Sequence, residues 1–222
     1  IQADELGTNG LFVKICGIRR LDDALAALAF GADGLGFLVG RKHHSPDFLD
    51  ESDASAIVAA LPPNTSSVLV THLADPDDIV TLATAIGVTT IQLHGDTSPA
   101  QAAVIKHRLP DIKTYKAIHV IDDQSIDVAR QYTVDAIVLD TINVSTDQVG
   151  GTGNTHDWSI SRRIVEQLPI PVILAGGLNP DNVRDAIEQV HPYGVDVNSG
   201  TKGADGFKDH AKLRRFIDNA KR

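Results

Sequence analysis

Sulfur-containing side chains are nearly absent from this 222-residue sequence, which contains one cysteine, Cys16, and no methionine. A single cysteine excludes an intramolecular disulfide, and a zinc site would have to consist mainly of histidine and carboxylate ligands. An isolated cysteine is often no more than a small buried hydrophobic residue. The position of Cys16 in the fold therefore decides whether it has a chemical role.

Basic residues are also scarce, with 20 Lys and Arg against 29 Asp and Glu and a formal net charge of -9. Nucleic acids and anionic membranes require a basic surface, so this balance argues against both as partners. No stretch approaches the roughly 20 apolar residues of a membrane span, and the first ten residues lack the regions of a signal peptide. We therefore expect a cytoplasmic protein that binds any anion locally.

The length allows one large core, and βα barrels run from about 200 residues upward as single domains. Eight apolar or β-branched runs, each bounded by turn-forming residues, predict eight strands. They cover residues 11–16, 34–39, 67–73, 89–95, 113–120, 135–141, 171–177 and 194–200. Amphipathic stretches at helical spacing lie between them, among them residues 21–32, 77–87, 179–190 and 209–222.

Strands this continuously apolar are typical of a parallel sheet covered by helices. Eight such units predict an α/β fold, a single (β/α)8 TIM barrel over residues 11–222, preceded by a short N-terminal arm at residues 1–10. A doubly wound open sheet is the alternative, but it usually carries a glycine-rich loop after its first strand. Here the glycines gather after the seventh and eighth strands, which favours the barrel.

Local signals for helix ends agree with this pattern. The pairs Asp75-Pro76, Ser98-Pro99 and Asn179-Pro180 each place a capping side chain before a proline, which is typical of a helix start. Gly31 and Gly87 are predicted to end helices in the left-handed conformation.

The active site of such a barrel lies where its strands end. The polar residues that end the predicted strands are Cys16, His72, Gln92, His94, His119, Asp140, Asp196, Asn198 and Ser199. Glycines at Gly176, Gly177 and Gly200 allow backbone N–H groups to approach a ligand closely, which predicts a phosphate site after strands seven and eight. Polar residues at strand ends also form turns and caps, so each has a purely structural alternative.

Seven motifs together resemble the phosphoribosylanthranilate isomerase family over nearly the whole chain. They are KICGI (14–18), QLHGD (92–96), LDT (139–141), GGTG (150–153), DWS (157–159), ILAGGLNPDNV (173–183) and PYGVDVNSG (192–200). The family, part of tryptophan biosynthesis, converts an aminoribose phosphate to a ribulose by an Amadori rearrangement without metal or cofactor. The resemblance implies a phosphorylated sugar as substrate and an isomerase as the activity, in a monomer or homodimer.

The resemblance also implies roles for individual residues. Cys16 is expected to be the general base and Asp140 the general acid, with His94 as a positioning residue and Gln92 and Asp196 among the substrate-binding residues. A basic role for Cys16 requires a lowered thiol pKa, which we expect from partial exposure at a positively polarised site. The GGTG segment at 150–153 is expected to belong to a loop that closes over the substrate.

The sequence departs from the family's pattern at the end that binds the aromatic acid. Where the family has Ser-Pro-Arg, with an arginine suited to a carboxylate, this chain has Asp47, which would repel one. The candidates for a cation that replaces this arginine lie in the same loop, at Arg41, Lys42, His43 and His44. His72 replaces a residue of different type in the third strand, and Asn198 stands where a serine is more usual.

These departures leave alternatives open. One is a paralogue that isomerises or epimerises another phosphosugar, with Asp47 and His72 contacting hydroxyls or a cationic group. Another is a metal-dependent enzyme in which His72, His94 and His119 bind a divalent ion together with Asp140. A non-catalytic phosphosugar-binding barrel is the last.

Overall fold

The structure is a computed structural model that describes residues 10–40, 45–143, 148–149 and 155–222. Its barrel strands are β1 (Phe12–Ile15), β2 (Gly34–Leu38), β3 (Ser66–Thr71), β4 (Thr90–Leu93), β5 (Lys113–His119), β6 (Ala136–Asp140), β7 (Val172–Leu174) and β8 (Gly194–Val197). Its helices are α1 (Leu21–Phe30), α2 (Glu51–Ala59), α3 (Pro76–Ile86), α4 (Pro99–Arg108), α5 (Gln124–Arg130), α6 (Trp158–Gln167), α7 (Val183–Val190) and α8 (His210–Ala220). The arm residues 1–9, the basic residues 41–44 and the GGTG segment lie outside the described residues.

The eight parallel strands close into a barrel in the order β1-β8-β7-β6-β5-β4-β3-β2, which confirms the predicted fold. Each observed strand coincides with a predicted one, and most stop a few residues early because the chain turns into a loop there. After β6, a two-residue antiparallel hairpin pairs Ile142–Asn143 with Gln148–Val149. None of the helices in the described ranges is long and apolar enough to cross a membrane.

The predicted helix ends are confirmed at four of five places. Asp75 caps α3, Ser98 forms a capping box on α4, and Gly31 and Gly87 adopt left-handed C-cap conformations. The predicted start of α7 at Asn179 is wrong, since the helix begins at Val183.

The physical reason lies in the side chain of Asn179. Its oxygen accepts the N–H groups of Asp181 and Asn182 at 2.8 and 3.2 Å. These are N-cap hydrogen bonds, and the carbonyl of Asn179 accepts the N–H groups of Asn182 and Val183 at 3.3 and 3.1 Å, so Asn179 caps a tight turn that precedes the regular helix.

Alternate residues of each strand point into the barrel, and the others pack under the helices. The inward apolar residues form two clusters, a smaller one of Cys16, Val68 and Val70 and a larger one that includes Phe12, Tyr115, Ala136, Val138 and Ile173. The outward set joins the helices in a separate, larger core. This alternation directs the residue that ends a strand to one of two places, the mouth of the barrel or the helix layer.

One ion pair lies inside the barrel where its first and last strands meet. Lys14 on β1 and Asp196 on β8 are register partners, and Lys14 Nζ lies 2.6 Å from Asp196 Oδ2. Lys14 is fully buried, and burial alone would lower the pKa of its ammonium. The neighbouring Asp196, with Cys16 and Asp140, raises this pKa instead, so Lys14 stays charged in the barrel interior.

We expect Lys14→Met to lower the free energy of unfolding by about 3–5 kcal/mol, because it leaves the carboxylate of Asp196 buried without a cation. Lys14→Met combined with Asp196→Leu is expected to cost less, since no charge is then left unpaired. Urea denaturation followed by circular dichroism measures both.

Lys106→Met is the matched control, because Lys106 pairs with Asp135 at 2.5 Å on the partly exposed outside of the barrel. Its expected cost is within about 1 kcal/mol. Equal losses for Lys14→Met and Lys106→Met would contradict the importance of the buried pair.

Candidate active site

Cys16 follows β1 directly and lies at the mouth of the barrel. Its N–H donates to the carbonyl of Val197 at 2.8 Å, and its side chain packs against Val68 and Val70. Only 7% of the residue is exposed. Burial raises the pKa of the thiol to about 11, although the cations of Lys14 and Lys208 act in the opposite direction. The expected partial exposure and lowered pKa are therefore wrong for this structure, because the apolar neighbours desolvate the sulfur.

Asp140 ends β6 and is also buried. Burial alone would raise the pKa of its carboxyl. Two interactions lower it and together outweigh burial. His94 Nε2 lies 3.3 Å from Oδ2 and acts by hydrogen bonding and charge, and the N–H of Thr141 donates to Oδ1 at 2.7 Å. The pKa of Asp140 is thus held below its ordinary value, and the group is a carboxylate at neutral pH.

Three histidines form a row beside this carboxylate. The rings of His72 and His94 stack at 5.2 Å with planes only 12° apart, and His119 meets His94 edge-on at 5.7 Å. Stacked faces turn the ring nitrogens away from a shared centre. In the part of the chain that the structure describes, no group of three His, Cys, Asp or Glu is arranged to hold a metal ion. The structure therefore does not support the metal-dependent alternative.

His94 is positioned from both sides. Gln92 Nε2 lies 3.1 Å from its Nδ1, while its Nε2 faces Asp140. Gln92 and Asp196 lie inside the barrel, and each has a buried oxygen that makes no hydrogen bond among the described residues, Gln92 Oε1 and Asp196 Oδ1. Such buried atoms require a polar partner, so each residue keeps one unused acceptor inside the barrel.

The glycines after β7 and β8 lie in two segments that touch each other. Gly176 and Gly177 have φ angles of 82° and 68°. A Cβ at Gly176 would lie 2.2 Å from Thr141 Oγ1, and one at Gly200 would lie 2.1 Å from the carbonyl oxygen of Leu178. Only glycine fits either place, because a side chain at Gly200 would separate the two segments and one at Gly176 would clash with Thr141.

The chain from Ser199 to Thr201 forms a short 3-10 helix. None of the hydrogen bonds found among the described residues uses the N–H of Gly177, Ser199 or Gly200. Free backbone N–H groups on two adjoining loops suit the oxygen atoms of a phosphate. In the barrel order, β7 and β8 separate Asp140 on β6 from Cys16 after β1. The two titratable groups therefore flank the glycine segments.

Asp47 is buried in a cluster with two lysines that the sequence reasoning missed. Lys202 Nζ lies 2.5 and 2.6 Å from its two carboxylate oxygens, and Asn198 Nδ2 donates to it at 3.0 Å. Lys208 Nζ donates to the carbonyl and the side-chain oxygen of Asn198 at 2.9 and 3.2 Å. Burial lowers the pKa of Lys208 to about 8. The sequence signal for this cluster was the presence of two lysines after the NSG motif (198–200) in a chain that has an aspartate where the family has an arginine.

Comparison with known proteins agrees with this geometry. A family model described as N-(5'phosphoribosyl)anthranilate (PRA) isomerase matches residues 13–219. N-(5'-phosphoribosyl)anthranilate isomerase 2 of Methanosarcina mazei is 47% identical over 211 residues, which cover 94% of this chain and 93% of the relative. N-(5'-phosphoribosyl)anthranilate isomerase of Geobacter sulfurreducens is 42% identical, with coverage of 94% and 98%.

Solved structures show the same likeness. Phosphoribosyl anthranilate isomerase of Thermotoga maritima aligns with a TM-score of 0.84 at 36% identity, covering 95% of this chain and 98% of that one. A phosphoribosyl anthranilate isomerase in complex with reduced 1-(o-carboxyphenylamino)-1-deoxyribulose 5-phosphate aligns with a TM-score of 0.80 at 34% identity and the same coverage. The chain described here therefore belongs to the N-(5'-phosphoribosyl)anthranilate isomerase family.

Proposed function

We propose that this protein isomerises N-(5'-phosphoribosyl)anthranilate to 1-(o-carboxyphenylamino)-1-deoxyribulose 5-phosphate by general acid–base catalysis. The observation that carries the proposal is the position of Cys16 and Asp140 on either side of the glycine segments after β7 and β8. A sugar held there by its phosphate would extend between the two groups. The reduced compound bound by one relative has the carbon skeleton and phosphate of this product.

The phosphate is the anchor in this proposal. N–H groups of Gly177, Ser199 and Gly200 donate to its oxygen atoms, and the contact between the two segments fixes their spacing. Anchoring the phosphate places the sugar carbons without using the reacting atoms, so binding energy from a remote group orients C1 and C2.

Asp140 acts first, as the acid. It donates a proton to the ring oxygen while the bond between C1 and that oxygen breaks, and the lone pair of the anilino nitrogen forms the C1 iminium. His94 and the N–H of Thr141 hold the carboxylate that remains. The product of this step is the open-chain sugar, whose C2 proton is acidified by the adjacent iminium.

Cys16 acts second, as the base. Its thiolate takes the proton from C2, and the electron pair moves to neutralise the iminium nitrogen, which gives an enolamine. Protonation at C1 by the thiol and loss of the C2 hydroxyl proton to Asp140 then complete the ketone. Both groups return to their starting protonation states, and the reaction needs no external oxidant or reductant.

The charge states in the structure are the reverse of those that the reaction needs. The thiol of Cys16 has a raised pKa and the carboxyl of Asp140 a lowered one, so the proton resides on sulfur at neutral pH. The dianionic phosphate and the aromatic carboxylate of the substrate bring negative charge that favours protonation of Asp140. Lys14 and Lys208 stabilise the thiolate that is left.

Cys16→Ala and Asp140→Asn are each expected to lower kcat by about 10²–10⁴-fold, the range for loss of a general acid or base. Consumption of phosphoribosylanthranilate, followed by its fluorescence, measures this, with added chelator expected to have no effect. Asp77→Asn on the exposed start of α3 is the control and should retain full activity.

Circular dichroism and the melting temperature check that each variant folds. Substantial turnover by either variant would contradict the assigned role, and no turnover by the wild type would contradict the proposed function.

The titration of Lys208 predicts how kcat/KM depends on pH. Between the pKa values of Asp140 and Cys16, the fraction of the form with neutral Asp140 and ionised Cys16 is independent of pH. Lys208, whose pKa is about 8, loses its charge as the pH rises through that value and then no longer stabilises the thiolate. We therefore expect kcat/KM to fall above about pH 8.

Lys208→Met should remove this inflection and lower kcat/KM by about 10- to 100-fold below pH 8, since a nearby cation shifts a pKa by about 1–2. Lys106→Met, outside the barrel, should leave the profile unchanged. If the inflection persists in Lys208→Met, a group other than Lys208 causes it.

A further inference from the structure

The cluster around Asp47 lies at the mouth of the barrel, and neither Asp47 nor Lys202 takes part in the proton transfers. Asp47 follows β2, whereas Asn198 and Lys202 follow β8, so the cluster bridges two loops that flank β1. The side-chain oxygen of Asn198 lies directly over Gly17, the residue after Cys16. The cluster is therefore a neighbour of the reacting thiol.

Two departures from the family's pattern meet in this cluster. Asp47 stands in place of the expected arginine and Asn198 in place of a serine, and their side chains are hydrogen-bonded at 3.0 Å although 151 positions apart. A carboxylate at position 47 cannot receive the carboxylate of an aromatic acid. It does hold Lys202 Nζ at hydrogen-bonding distance from both of its oxygens.

The lysine is the more accessible member of the pair. The side chain of Lys202 is 22% exposed and that of Asp47 only 9%. Lys208 adds a second ammonium on the far side of Asn198. With one carboxylate and two ammonium groups, the cluster has excess positive charge while Lys208 is protonated.

An aromatic wall adjoins this charge. Phe48, next to Asp47, is buried and meets the ring of His72 edge-on at a centroid distance of 5.4 Å. Phe48 directly follows Asp47, the residue that holds Lys202 Nζ, so the aromatic pair and the ammonium group belong to the same part of the barrel mouth. This combination suits an aromatic carboxylate better than an uncharged ring.

We propose that Lys202, oriented by Asp47 and Asn198, binds the carboxylate of the anthranilate group and sets the preference for that substrate. The inference rests on the proposed function. In the family's pattern the cation that binds the carboxylate lies in the loop after β2. In this chain the inference places that cation in the loop after β8, with Asp47 as its counter-ion. Lys202 is a specificity residue that contacts the substrate, whereas Asp47 and Asn198 are positioning residues.

The test compares two substrates, phosphoribosylanthranilate and its aniline analogue, which lacks only the carboxylate. The ratio of their kcat/KM values measures what the carboxylate contributes. We expect Lys202→Met to lower this ratio by about 10- to 100-fold, as for loss of a hydrogen bond between charged groups. The loss should appear in KM for phosphoribosylanthranilate, and kcat/KM for the aniline analogue should fall much less.

Two further variants separate recognition from loop anchoring. Lys202→Arg keeps a cation and should keep most of the ratio. The charge-swapped double variant, Asp47→Arg with Lys202→Glu, keeps an ion pair and returns a cation to position 47, so it should recover the ratio that Lys202→Met loses. Both also test the inference if Lys202→Met folds poorly.

Equal losses on both substrates in Lys202→Met would overturn the inference, because they would mean that the ion pair only holds the two loops together. An unchanged ratio would overturn it as well. Wild-type protein without turnover of phosphoribosylanthranilate would instead contradict the proposed function, and the inference would fall with it.

Discussion

The buried ion pair between Lys14 and Asp196 is the interaction on which the site depends. It joins β1 to β8 at the seam where the barrel closes, and it fixes the register of these two strands. Because strand side chains alternate between faces, the residues two positions further on, Cys16 and Asn198, also point inward, one layer higher. Cys16 and the cluster around Asp47 are therefore placed by a pair of charges below them, and exclusion of water keeps that pair strong.

The mouth of the barrel holds its titratable groups in states that a substrate has to change. Apolar neighbours keep the thiol of Cys16 protonated, while His94 and the N–H of Thr141 keep Asp140 ionised. A neutral thiol in a desolvated pocket is unreactive, which limits side reactions of an otherwise nucleophilic group. The charges of Lys14 and Lys208 offset part of the effect of burial on the thiol, because they lower its pKa.

The charged cluster shows how a change at one position is compensated elsewhere in the fold. An aspartate at position 47 would be unfavourable if buried alone, and it is stabilised by Lys202 and Asn198 across more than 150 positions of sequence. The loop after β8 thus contributes both backbone N–H groups without partners among the described residues and a cation. A single segment between Asn198 and Lys208 consequently shapes the glycine segment after β8, the surroundings of the thiol and the pairing of Asp47.

The sequence by itself determined the eight strands, most of the helix ends, the family and the positions of Cys16, Asp140 and the glycines, since strand periodicity, caps and motifs are local patterns. The tertiary structure decided the rest. The Asn179 cap opens a tight turn before the regular helix of α7, and the histidines stack because ring orientation depends on neighbouring strands. The raised pKa of Cys16 and the pairing of Asp47 with Lys202 arise from desolvation and from contacts between distant segments. Both are properties of the packed barrel, and no stretch of sequence contains them.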